Sequence, residues 1–449
     1  MQAASLPAPD PTDTMDSGRL HAVRGEIVHF LADPAERGAA ALEHFADGLL
    51  ILRDGHVAEC GPAAELLARL PQEAAVADRR GMLIMPGFID THVHYPQTDI
   101  IASHGEELLD WLTRYTFPAE RRFEDPAHAA EVAGFFCDEL LRNGTTTAMA
   151  FATVHAASVD ALFEAARLRR MRLITGKVLM DRNCPDFLRD DAGLGVEASR
   201  RLIERWHGRD RLLYALTPRF APTSTPAQMQ AAGRLFAEHP GVYLQSHVAE
   251  NRAEVDWVAQ LYPAARSYLD VYEHYRQLGP RSIYAHCIWL DDADRARMAA
   301  TGTAVSFCPT SNLFLGSGLF DLAAAQAHGL RVGLGTDVGG GTSFSMLATL
   351  NEAYKVLRLN GQDLSPEQAF YLATLGGARS LYLDGRIGNF SAGREADFVV
   401  LDPSATALLA RRNATAATLA ERLFLLMMLG DDRCVAETWV LGQAAWRRD

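Results

Sequence analysis

Pro86 to Thr98 reads PGFIDTHVHYPQT: an apolar start, a polar end and, between them, His92 and His94 two residues apart. In an extended strand residues i and i+2 point to the same face, so both imidazoles project together from the strand's end. Two side-by-side imidazoles can reach one metal ion. A His-x-His pair standing alone is more often surface or packing histidine, so its meaning depends on what the rest of the chain brings to the same place.

Working outward from this stretch, one pattern recurs between about Met82 and Gly377: an apolar or β-branched run, a polar loop, then a helix-like segment. The strand candidates are MLIMPGFIDTHVH, TTTAMAFAT, RLITGKVL, LLYALTPRF, VYLQSHVAE, SIYAHCIWL, TAVSFCPTS and LRVGLGTDVGG. Segments such as PAHAAEVAGFFCDELLRNG and TPAQMQAAGRLFAEHPG repeat their apolar residues at three and four, the period of an amphipathic helix. Strands alternating with helices imply a parallel sheet, and eight such units close into a (β/α)8 barrel of the TIM type. The alternative, an open doubly wound sheet, lacks its glycine-rich phosphate fingerprint after the first strand.

The two ends read differently. EIVHFL, GLLILRDGHVAECG and GMLIM before the barrel, and ADFVVLD and RCVAETWVLGQAAW after it, look like short strands, with Asp54-Gly55 as a hairpin turn. Neither group alone makes a viable sheet, so both ends are expected to pair into one small β-sandwich domain. The expected division is a flexible tail (1–24), the first part of the β domain (25–85), the barrel (86–380) and the part that completes the β domain (381–449). Helices near 364–383 and 415–430 are expected to connect and cover it.

At 449 residues, 48% hydrophobic and 22% charged, with a formal charge of −13, the chain has the make-up of a globular protein and no basic surface for nucleic acid or anionic membrane. A small-molecule substrate fits better. Six scattered cysteines without a C-x-x-C read as reduced thiols in a cytoplasmic protein. The N-terminal stretch carries acids and prolines where a signal peptide needs a basic end and an apolar run, and no segment is long and apolar enough for a membrane span.

Barrel active sites form at the C-terminal ends of the strands. There the first strand places His92 and His94, the fourth Arg219 and Phe220, the fifth His247 with Glu250 beyond it, the sixth His286 and the eighth Asp337. Singly, a histidine could be packing, Asp337 a turn residue and Arg219 a brace on the barrel rim. Together, three histidines and a carboxylate suit a zinc-like ion with an open position for water, whose pKa the ion lowers to about 7. Glu250, taken as one helical turn beyond His247, is placed to carry protons, and His286 to ligate weakly or to hold the hydroxide. Some barrels bridge two metals with a carboxylated lysine on the fourth strand. The only two lysines here are Lys177 and Lys355, neither on that strand, so one metal per chain is expected.

The motifs PGFIDTHVH, SHVAEN, YAHCIWL and GLGTDVGGG, in this order, resemble the amidohydrolase superfamily. HYPQTDIIAS, LLDWLTRYTFPAE, LTPRFAPTS, CPTSNLFLGSGLF and GTDVGGGTSFSMLATLNEAYKV resemble, more narrowly, its guanine deaminase family. That resemblance implies metal binding by His92, His94, His247 and Asp337, with His286 at or beside the metal, which would be zinc or alternatively iron. It implies guanine contacts from Gln97, Arg219 and Phe220, and also from His94, His247 and Glu250, with Trp111 as a further aromatic wall. It implies proton transfer by Glu250 and Asp337, and a homodimer. In the expected reaction hydroxide generated by the metal attacks guanine C2, Asp337 takes its proton, and Glu250 protonates N3 and assists the departing amine, giving xanthine and ammonia.

Two other readings stay open at this level. One is a sister enzyme acting on 8-oxoguanine, cytosine, a pterin or a chlorotriazine; the other is a barrel that binds without catalysis. The unrelated zinc deaminase fold, with H-x-E and P-C-x-x-C, is excluded because the chain has no C-x-x-C.

Overall fold

The computed structural model describes residues 20–104 and 107–449. The chain opens with β1 (His21–Phe30), β2 (Leu42–Arg53), β3 (His56–Pro62) and β4 (Ala75–Pro86). It continues with β5 (Phe88–His94), β6 (Thr145–Phe151), β7 (Arg172–Gly176), the short β8 (Val178–Leu179), β9 (Leu212–Pro218) and β10 (Tyr243–Val248). Then come β11 (Ser282–His286), β12 (Ala304–Phe307) and β13 (Arg331–Leu334), and the chain finishes with β14 (Phe398–Leu401), β15 (Val435–Val440) and β16 (Gln443–Arg447).

Eight of these strands, β5-β6-β7-β9-β10-β11-β12-β13, lie side by side in chain order, each pair parallel. The ring closes where β13 meets β5: the Asp337 amide donates to His92 O and the His94 amide to Val338 O, both at 2.9 Å. Strands with both faces covered must be apolar throughout, which is why β6 is buried at every position. Ile89, Met149, Ile174, Ala215, Ile283 and Ala304, one from each of six strands, pack together inside the ring, so its lower half is a solid core and function is confined to the upper rim.

The chain ends form one seven-stranded sheet, ordered β16-β15-β14-β4-β1-β2-β3. It is antiparallel except for β1 beside β4. The Asp54-Gly55 turn joins β2 to β3 with both residues in the left-handed region, as that hairpin signal requires.

Three details differ from the sequence reading. MLIMPGFIDTHVH is two strands, not one: Met82–Pro86 belongs to the end sheet and Phe88–His94 to the barrel. Gly87 separates them, and a Cβ there would lie 2.2 Å from the Thr146 hydroxyl. RLITGKVL likewise breaks at Lys177, so that Val178–Leu179 pairs separately with β9. At the N-terminus, residues 1–19 of the expected tail lie outside the described residues. β1 already begins at His21, because its pairing with β2 and β4 continues through the polar stretch His21–Gly25.

Barrel and end sheet are joined by a buried charge cluster. Arg211, just before β9, reaches Glu395 (2.6 Å) and Asp397, and Arg172 of β7 also pairs with Glu395. Asp397 further accepts the Leu441 amide at 2.9 Å. All four side chains are nearly excluded from water, where removing one partner leaves the others as uncompensated charge. Arg211→Leu should therefore lower unfolding stability by about 3–5 kcal/mol in urea denaturation. A loss below about 1 kcal/mol would mean that the cluster is already hydrated like an exposed pair.

Candidate active site and metal centre

At the rim the chain converges on one point. Ligand atoms of His92, His247, His286 and Asp337 all lie within 4.8 Å of one another. His94 joins them: its Nε2 is 3.1 Å from Nε2 of His92, 3.3 Å from Nε2 of His247 and 3.2 Å from Asp337 Oδ1. All five metal candidates of the sequence thus meet.

The surrounding bonds set the direction of the imidazoles. His247 Nδ1 lies 2.7 Å from the Arg219 carbonyl, which can only accept, so the proton sits on Nδ1 and Nε2 presents its lone pair to the cluster. His286 Nδ1 faces Asn312 Oδ1 at 2.9 Å, with the same consequence. Burial holds His94 low, at about 3, and His247 well below the usual imidazole range, so both stay neutral. Burial opposes ionising Asp337, but the imidazoles of His92, His94 and His286 around it outweigh that effect and keep its carboxyl well below the ordinary range.

The backbone is bent to deliver these groups. Ala249, His286 and Asp337 have φ of 50°, 71° and 50°, a region costly for residues other than glycine and common at functional sites. After Asp337 the chain must fold sharply back, and only glycine fits at 341, where a Cβ would lie 1.8 Å from Thr336 O. Below the rim, buried Asp90 accepts the amides of His92 and Thr336, each at 3.1 Å, and the Thr336 hydroxyl. It ties the first strand's ligands to the last strand's.

Glu250 stands beside the cluster, its Oε2 3.3 Å from His286 Nε2, while Ser317 donates to its Oε1 at 2.9 Å. It is not on a helix, as the sequence reading had it. It sits in the loop after β10, and the next helix, Arg252–Leu261, starts beyond it. The loop is fixed instead by Glu254, whose Oε2 accepts the Glu250 and Asn251 amides at 3.0 and 3.2 Å, and whose Oε1 accepts from Tyr268 at 2.7 Å. Burial, then the Asp337 charge, push the Glu250 carboxyl up to about 8, the direction that suits a group carrying protons.

One pocket contains His94, His247, His286, Asp337 and Glu250 together with Gln97, Arg219, Phe220 and Trp111. Gln97 Oε1 accepts the Gly339 amide at 3.1 Å, which fixes the amide's orientation and leaves its NH2 to donate elsewhere. The Trp111 indole N–H is buried with no partner among the described residues. Sequence reasoning missed the apolar remainder of the wall, Leu108, Leu112 and Leu315, and the pocket residue Glu254. It also missed Glu120, buried against Arg219 Nη1 at 2.6 Å, although Glu120 closes the quoted motif LLDWLTRYTFPAE.

The residues fit a metal. Imidazole nitrogens and a carboxylate oxygen gather here at 3.1–3.3 Å, with the Nδ1 sides of His247 and His286 turned outward to acceptors, and this donor set suits zinc or iron. Lys177, in the break just after the third barrel strand, is spent elsewhere, buried against Asp190 and the Val178 carbonyl.

Comparison with known proteins agrees. Residues 83–445 match the amidohydrolase family. The chain is 51% identical to guanine deaminase of Escherichia coli over 96% of its own length and 98% of that protein. It is 41% identical to a probable guanine deaminase of Deinococcus radiodurans over 95% and 98%. The structure of the E. coli enzyme superposes with a TM-score of 0.94, covering 96% of this chain and all of that one. Guanine deaminase of C. acetobutylicum, solved with guanine in its active site, superposes with a TM-score of 0.87 at 27% identity, over 95% of this chain and all of that one. On this fold, this rim and these relatives, the chain belongs to the amidohydrolase family of metal-dependent hydrolases.

Proposed function

We propose that the protein hydrolyses guanine to xanthine and ammonia, with one zinc ion per chain. The observation that carries the reading is a single pocket in which a buried guanidinium, an amide donor and an aromatic ring line one space with a His-Asp cluster and the Glu250 carboxyl. Relatives sharing up to half the residues carry the same activity in their names.

The chemistry a divalent ion supplies in this cluster is activation of water near neutral pH. The chain's own groups do the rest. Phe220 and Trp111 hold the flat ring, and Arg219 and the Gln97 NH2 donate to its acceptors. Asp337 accepts the proton of the attacking water as its oxygen adds to C2. Glu250 gives a proton to N3 and then takes the C2–OH proton as C2=O forms, while the proton held by Asp337 passes to the 2-amino group, which leaves as ammonia. Guanine is preferred to adenine because it presents a carbonyl at C6 where adenine presents an amino group, and an arginine has donors only. Iron would be held by the same donors, and elemental analysis separates the two. Six cysteines free of disulfides support a reducing, cytoplasmic setting, and the family resemblance supports a homodimer.

His94→Ala should purify with little or no metal, whereas Glu250→Gln should retain one ion per chain and lose turnover. Equal metal loss in both would make Glu250 a ligand and overturn its role as proton carrier. For recognition, Arg219→Lys is the informative change, since Arg219→Ala would strand the buried Glu120 carboxylate. Lysine keeps a charge for Glu120 and loses the planar fork, so guanine kcat/KM should fall by about ten- to a hundred-fold in a folded, metal-replete protein. Wild-type kinetics would remove Arg219 from recognition.

A further inference from the structure

Arg219 does two things at once. Its carbonyl orients His247, and its side chain, 2% exposed, lies in the pocket wall. A bare guanidinium there would be a costly buried charge and a magnet for anions. It is not bare. Glu120, fully buried, accepts from Nη1 at 2.6 Å with one oxygen, while its second oxygen has no partner among the described residues. Glu120 therefore has no evident task other than Arg219. The Phe117 ring lies beneath the same guanidinium, 5.5 Å from its centre. Both residues belong to the helix Phe117–Arg121, which continues the turn Leu112–Thr116 and the helix Leu108–Trp111. That run also gives Leu108, Trp111 and Leu112 to the pocket.

We infer that Glu120 is a positioning residue that aims the Arg219 fork and cancels its charge, so that the pocket takes up neutral guanine and does not retain the xanthine anion. This rests on the guanine reading. The chemistry is that of the ring edge. Replacing the C2 amino group by a carbonyl sets an electron-withdrawing group beside both N1–H and N3–H, so the product gives up a proton more readily than the substrate. An arginine paired with a carboxylate is a net-neutral donor suited to a neutral carbonyl. The same arginine without its partner would hold the anion, and product release would slow.

Two variants separate aim from charge, with guanine kinetics and competitive inhibition by xanthine measured below and above xanthine's own first ionisation. Glu120→Asp keeps the charge but draws the fork back by one methylene. Guanine KM should rise about ten-fold with kcat nearly unchanged, and the pH dependence of xanthine inhibition should stay as in the wild type. Glu120→Gln keeps the shape but leaves Arg219 uncompensated, so xanthine should inhibit about ten-fold more strongly above its ionisation than in the wild type, with little change below it. A merely structural role would lower thermal stability and the active fraction while leaving KM and the xanthine profile alone, and that result overturns the inference. Should Glu120→Gln fail to fold, a wild-type KM in Glu120→Asp overturns it equally. A wild-type protein that leaves guanine unchanged would instead defeat the functional reading itself, so the two failures are distinct.

Discussion

Ring nitrogens of His92, His94 and His247 and a carboxylate oxygen of Asp337 are held within about one hydrogen-bond length of their neighbours, on a rim where water is scarce. Much of the upper barrel holds this donor set together. Asp90 locks the first strand to the last, and the Arg219 carbonyl and Asn312 each fix an imidazole's proton on the side away from the cluster. The solid core beneath gives these supports something rigid to stand on. Left-handed backbone at Ala249, His286 and Asp337 marks positions where a regular strand turns into a site.

Recognition and chemistry share parts. Arg219 is the clearest case, since one residue orients a metal ligand with its backbone and faces the pocket with its side chain. The His286–Asn312 and Ser317–Glu250 bonds form a second link: the short helix Pro309–Phe314 and the loop after it hold both the sixth-strand histidine and Glu250.

The barrel and the rim histidines were legible in the sequence because buried parallel strands are apolar throughout and end abruptly in polar residues: His94, Arg219 and His247 could be placed by counting along a strand. What could not be read depended on distance in space. No local signal says that Glu120 meets Arg219 ninety-nine positions on, or that Asp397 and Glu395 meet Arg211. Glu250 was assigned the right neighbourhood by spacing but the wrong local structure, because a left-handed residue at Ala249 delays the helix. Pro86-Gly87 hid a strand boundary inside an unbroken apolar run, since apolar character alone cannot tell one buried sheet from another.

The central claim is that this one cluster, loaded with one ion, hydrolyses guanine. Its most direct test is to strip the protein with a chelator and titrate zinc back while following guanine conversion to xanthine. The account predicts no turnover in the stripped protein and a linear rise that breaks at one equivalent of zinc per chain. Full activity without metal, or a break at two equivalents, would contradict it.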